Sequence, residues 1–175
     1  MVRTMTLDEL NQFSRAEAAI AFSRCCGSSQ WAKTMSLRRP FYDQEELFKV
    51  ADSAWQRVSS DDWKEAFSHH PKIGDVNALR EKFGSTRAWA EGEQSGASGA
   101  SEKTIKALAD GNVEYEKKFG YIFIVCATGK SAEEMLTLLT RRLQNSRADE
   151  IQIAAEEQRK ITRLRLEKLL GKHRS

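Results

Sequence analysis

Two of the chain's three histidines and one of its two prolines fall in one stretch, Ser68-His69-His70-Pro71-Lys72-Ile73-Gly74-Asp75. An imidazole titrates near neutral pH, so it can take and return a proton under physiological conditions. His70 is the candidate. It ends a segment in which Trp63, Ala66, Phe67 and His70 share one helical face, and Pro71 disfavours a helical backbone at the residue before it. The spacing puts a titratable ring where a helix stops and the chain turns, a place where chemistry often sits. The plain alternative is a half-buried histidine that closes an apolar face. His69 is read as a solvent-facing neighbour, because adjacent helical residues point about 100° apart.

Three other places could serve such a ring. Glu93-Gln94 offers a carboxylate that can orient an imidazole and an amide that both donates and accepts. Alone, the pair reads as a solvated helix face. Phe123-Ile124-Val125-Cys126-Ala127 reads first as core. If irregular, its backbone N–H and C=O groups could bind a planar polar ligand. Arg165 has Ile161 and Leu169 four residues to either side, so it lies on a partly apolar face. An arginine there needs an acidic partner, a substrate carboxylate or a subunit contact. Arg163 fits simple exposure better. No metal-ligand spacing is present, nor a phosphate loop, a dinucleotide fingerprint or a Gly-x-Ser-x-Gly elbow. Cofactor-free acid–base chemistry is what remains for an enzyme.

Helices must position these groups. Ser14-Arg15-Ala16-Glu17 and Asp43-Gln44-Glu45-Glu46 have the spacing of capping boxes. After the second, Leu47, Val50, Ala51, Ala54, Trp55 and Val58 recur at three- and four-residue steps. Ser59-Ser60 opens the helix that leads to His70. A short helix is expected from Asn77 to Phe83, then a Gly/Ser/Ala-rich run from Ser95 to Ala100. Ser101 caps a long helix with the stripe Ile105, Leu108, Asn112, Tyr115 and Phe119, which Gly120 stops. Tyr121 to Ala127 is strand-like in composition but has no partner strand, so a buried helix or irregular segment is expected. Ser131 caps a helix with Met135, Leu138 and Leu139 inward, and Ala148 to Leu170 is the longest helix. The expected fold is an all-α, single-domain bundle over residues 1–175.

Composition narrows the setting. The net charge is +3, with basic residues interleaved with acidic ones. A nucleic-acid surface would need a denser basic face with stacking aromatics. No apolar run is long enough to span a bilayer, and the N-terminus lacks a signal-peptide core, so the expectation is a cytoplasmic protein without membrane partners. Three cysteines, Cys25, Cys26 and Cys126, suit reduced core thiols better than a disulfide framework.

Several motifs together resemble the 2-oxo-4-hydroxy-4-carboxy-5-ureidoimidazoline (OHCU) decarboxylase family. They are Cys25-Cys26-Gly27-Ser28, Trp31-Ala32, Arg39-Pro40-Phe41, His70-Pro71-Lys72-Ile73-Gly74 and Glu93-Gln94-Ser95-Gly96. Further on come Tyr115-Glu116-Lys117-Lys118-Phe119-Gly120, Phe123 to Ala127 and Ile161-Thr162-Arg163-Leu164-Arg165-Leu166. The resemblance implies an all-helical, homodimeric enzyme of urate catabolism. It would convert OHCU to (S)-allantoin and carbon dioxide without metal or organic cofactor. It places the catalytic role on His70, with Glu93 setting its protonation or holding the ureido arm. Substrate contacts would fall on Pro71, Ala90, Glu91, Gly92, Gln94, Phe123, Ile124, Val125, Cys126, Ala127 and Arg165. Some members are fused to a transthyretin-like hydrolase; at this length the upstream steps are expected from separate proteins.

Residue chemistry alone leaves rivals open. The same histidine could serve a hydrolase or tautomerase acting on another ring ureide. The chain could also be a non-catalytic helical interaction module, with His70-Pro71 only a helix stop, or a metal hydrolase.

Overall fold

A computed structural model of the chain describes residues 4–71, 76, 77, 79 and 101–171. Eight helices are defined among them and no strand. They are α1 (Leu7–Gln12), α2 (Arg15–Ser23), α3 (Ser29–Leu37), α4 (Gln44–Arg57), α5 (Ser60–Ser68), α6 (Glu102–Phe119), α7 (Ala132–Arg142) and α8 (Arg147–Leu169). Val76, Asn77 and Leu79 are helical as well; the rest of the short helix expected over Asn77 to Phe83 lies outside the described residues.

Side-chain caps set the starts. Ser14, Ser28, Asp43, Ser59, Ser101 and Ser131 each accept a hydrogen bond from the backbone amide three residues on. Each satisfies one of the amides that a helix leaves unpaired. Reciprocal boxes close at Thr6/Glu9 and Ser59/Asp62. At Asp43 the glutamate behaves differently: Glu46 reaches past the cap to the Tyr42 amide. Gly120 ends α6 with φ 86°, a left-handed backbone that glycine adopts without a Cβ clash.

Two compact units divide the chain: residues up to His70 together with those from Ala155 on, and Pro71–Ala154. In the first, Phe22 of α2 meets Trp31 of α3 edge to face at 5.9 Å. Three indole N–H groups anchor helices to one another. Trp31 donates to the Ala51 carbonyl at 3.0 Å, Trp63 to Trp55 at 3.0 Å, and Trp55 to Ala155 at 2.8 Å. The last bond ties α4 to the part of α8 in this unit. Arg39 is structural: its guanidinium donates to the carbonyls of Leu10 (2.8 Å), Phe13 (2.7 Å) and Ser36 (2.9 Å), tying the end of α1 to the end of α3.

In the second unit α6 packs on α7. Ile105, Leu108, Tyr115 and Phe119 of the expected stripe are buried, as are Met135 and Leu139, whereas Asn112 and Leu138 sit half-buried at its margin. Gly111 lets the helices approach. A Cβ there would lie 2.6 Å from Leu139 Cδ2. Residues 122–127 are irregular, neither helix nor strand, which is one of the two states their composition left open.

Candidate functional site

Helix α5 ends at Ser68, His69 caps it, and His70 stands just beyond. Pro71 follows, exposed. The His70 amide still bonds back to the Phe67 carbonyl at 3.2 Å, so the turn fixes where the ring leaves the backbone. Its Nε2 lies 2.6 Å from Oε1 of Gln158. Gln158 is fully buried on α8, where an unsatisfied amide group would cost about 1–3 kcal/mol. Both ends are satisfied: Oε1 faces His70, and Nε2 donates to Thr162 Oγ1 at 3.1 Å.

Arg165 sits one turn beyond Thr162, half-buried, and its charge acts on His70, Cys25 and Cys26. It makes no hydrogen bond or ion pair among the described residues. Burial lowers the His70 pKa below the usual 6.5; Arg165 and His69 lower it further, while the Gln158 bond works the other way. Near pH 7 the ring is therefore neutral. Burial pushes Cys25 up to about 12, against Arg165, and Cys26 up to about 11, against hydrogen bonds from the Ser28 amide and the Thr162 hydroxyl. Both thiols stay protonated and are poor nucleophiles. What this group of side chains can do is exchange a proton at His70 beside a fixed positive charge.

His69 is exposed, yet the base of its side chain rests on the turn before α3. A Cβ on Gly27 would lie 2.6 Å from His69 Cγ and Cδ2 and 2.7 Å from its Cβ. The ring could swing aside; the Cβ moves only with the backbone that carries His70. Gly27→Ala is expected to cost about 1–3 kcal/mol from overpacking and to lower turnover by displacing His70. Urea unfolding and steady-state kinetics check it. An alanine variant with the wild-type midpoint and kcat would show that the approach is not needed.

The second unit contains Phe123 to Ala127. The Ile124 carbonyl accepts from Arg142 Nη1 at 2.7 Å, and the Cys126 carbonyl from Lys130 Nζ at 2.7 Å. The Ala127 carbonyl accepts from the Lys130 amide at 3.0 Å. The amides of Phe123, Ile124 and Val125 donate to nothing among the described residues, so the irregular backbone keeps donors for an acceptor.

Of the residues singled out in the sequence, His70 and Arg165 are brought to one group of side chains. Phe123, Ile124, Val125, Cys126 and Ala127 form the irregular segment. Ala90, Glu91, Gly92, Glu93 and Gln94 lie outside the described residues, as do Lys72 to Asp75. Arg163 differs from its expectation of simple exposure. It pairs with Glu167 at 3.2 Å, and its guanidinium stacks 3.9 Å from the centre of the Phe48 ring. Gln158 and Thr162 escaped the sequence reading. They belong to the helical stripe Ala155, Gln158, Thr162, Leu166 and Leu169, all buried, which the charged residues between them hide in the sequence. Among the described residues no group of three or more acidic, histidine or cysteine side chains could hold a metal ion, and no helix is long and apolar enough to cross a membrane.

The family model for OHCU decarboxylase matches residues 11–167. The chain is 41% identical over 147 residues to the uric acid degradation bifunctional protein TTL of Arabidopsis thaliana, covering 84% of this chain and 45% of that one. It is 25% identical over 166 residues to the uric acid degradation bifunctional protein of Bacillus sp. (strain TB-90), covering 94% of this chain and 32% of that one. It therefore spans less than half the length of either bifunctional relative. A crystal structure of OHCU decarboxylase in the presence of (S)-allantoin superposes with a TM-score of 0.70 at 40% identity, covering 86% of this chain and 96% of that one.

Proposed function

The chain belongs to the OHCU decarboxylase family, and from that premise we propose that it converts OHCU to (S)-allantoin and carbon dioxide in urate degradation. The observation that carries the reading within the molecule is the neutral His70 ring, held by the buried Gln158 amide and faced by the Arg165 cation.

The chemistry asks for little more. OHCU carries a carboxylate and a hydroxyl on C4, beside a C5=N bond. When the C4–carboxylate bond breaks, its electron pair forms C4=C5 and the C5=N pair moves to nitrogen, which takes a proton from water. The substrate is its own electron sink. The resulting enol loses its hydroxyl proton to His70, the C4 oxygen becomes a carbonyl, and His70 returns the proton to one face of C5. One proton is taken up overall and carbon dioxide leaves. Arg165 draws the anionic substrate and balances the charge that develops on the ring.

The remaining assignments follow the resemblance. Glu93 sets the protonation of His70 or holds the ureido arm. Pro71, Ala90, Glu91, Gly92, Gln94 and the segment Phe123 to Ala127 contact substrate. A homodimer in the cytoplasm, with no cofactor, completes the proposal.

The test generates OHCU in situ from urate with uricase and 5-hydroxyisourate hydrolase, then adds this protein. Circular dichroism follows allantoin while released carbon dioxide is trapped. Rapid formation of a single allantoin enantiomer is expected. Unchanged slow racemic decay in the presence of folded protein overturns the reading; a new ureide formed without carbon dioxide points to a hydrolase or tautomerase.

A further inference from the structure

We propose that Gln158 is a positioning residue that decides which nitrogen of His70 reacts: its amide oxygen holds the ring as the Nε2–H tautomer, leaving Nδ1 to exchange the proton with substrate. The consequence for catalysis rests on the proposed decarboxylation; the tautomer itself does not.

The orientation of the buried amide decides the matter. Its nitrogen donates to the Thr162 hydroxyl oxygen at 3.1 Å, which turns its oxygen toward the ring, 2.6 Å from His70 Nε2. An oxygen acceptor at that distance requires a proton on Nε2. In the neutral ring the second nitrogen, Nδ1, then carries a lone pair. It makes no hydrogen bond among the described residues.

An amide is a telling choice of partner. A carboxylate would fix the same tautomer but also favour the imidazolium. Among the described residues the titratable and charged groups that act on His70 are His69, at the end of α5, and Arg165 on α8, and both oppose protonation. Gln158 orients the ring without adding a negative charge, so the ring stays ready to accept a proton. Its fold-determined place, one turn before Thr162 and two before Arg165, puts orientation and charge on one helix face.

The full-length chain, uniformly 15N-labelled and free of substrate, tests this by long-range 15N–1H NMR. Above its titration His70 is expected to show a protonated Nε2 and a bare Nδ1. Gln158→Glu keeps the acceptor and adds charge. It should keep the tautomer, raise the titration by about one unit or more, and carry the acid limb of kcat/KM upward with it. Gln158→Leu removes the acceptor, so the tautomer preference is lost and kcat falls about tenfold or more with KM nearly unchanged. Thr162→Val frees the amide to turn and should shift the ring toward Nδ1–H; it carries the test if the Gln158 variants do not fold. A wild-type ring protonated on Nδ1, or a folded Gln158→Glu protein whose His70 titrates as before, overturns the assignment. An inactive chain with the expected spectra overturns the reaction and leaves the assignment of Gln158 standing.

Discussion

His70→Gln is expected to lower kcat for OHCU by ~10²–10⁴-fold, the usual loss when a positioned general acid–base is removed, while KM changes by only a few-fold. The substitution keeps a polar side chain of similar reach beside Gln158, so packing is disturbed little. What disappears is the ability to take the hydroxyl proton and return it to C5. A loss confined to kcat marks an interaction made in the transition state. The product should also lose its handedness, since protonation at C5 would pass to water on both faces.

The pH dependence follows from the same ring. In the proposed mechanism the neutral imidazole is the working form, and burial holds its pKa below 6.5. Activity in kcat/KM is therefore expected to persist down through pH 6.5 and to fall only as the pH drops through the lowered value. Stability shares the direction. A histidine with a depressed folded pKa binds fewer protons folded than unfolded, so its contribution is complete above the unfolded value of 6.5 and is lost as pH falls through the folded one. His70→Gln should abolish this limb. A variant that retains near-wild-type turnover, or a wild-type acid limb above 6.5, would remove His70 from the mechanism.

The sequence was legible where local rules and packing agree. Ser59 with the Trp63, Ala66 and Phe67 face predicts α5, and Pro71 predicts that His70 leaves the helix; both hold. Ser101 and Gly120 bracket α6 because one side chain satisfies an amide and one residue tolerates positive φ. Gln158 was not legible. A glutamine in the run Glu156-Glu157-Gln158-Arg159-Lys160 looks like any solvated helix position. Its burial depends on Ala155, Leu166 and Leu169 turning that face inward and on a histidine some ninety residues earlier meeting it. The same holds for Arg142, which reads as half of the surface pair Arg141-Arg142 and is buried at 5% exposure. Burial at these two positions is set by tertiary partners that composition does not announce.

Those partners make Arg142 and Glu150 the site of the largest expected stability effect. Glu150 is fully buried. Its Oε2 accepts from Arg142 Nη2 at 2.5 Å, from Nε at 2.9 Å and from the Tyr115 hydroxyl, and its Oε1 accepts from Asn145 Nδ2 at 3.0 Å. The guanidinium also lies 4.5 Å from the centre of the Phe123 ring and bonds the Ile124 carbonyl. Burial and the Glu150 bond push the Tyr115 phenol upward, so it remains a donor to the carboxylate. Each charge is tolerated only because the other is there. Glu150→Leu or Arg142→Met, made singly, is expected to destabilise the protein by about 3–5 kcal/mol, because one buried charge is left without its partner. The double variant should cost less than the sum of the singles. Hydrogen exchange of the α6 and α7 amides localises the loss to the second unit, and urea unfolding gives its size. Strictly additive losses, or single variants within about 1 kcal/mol of wild type, would mean that water already screens the pair. If coupling is found, Arg142→Met should also raise KM for OHCU. The guanidinium that neutralises Glu150 is the group that holds Ile124, and a segment proposed to contact substrate must first be held still itself.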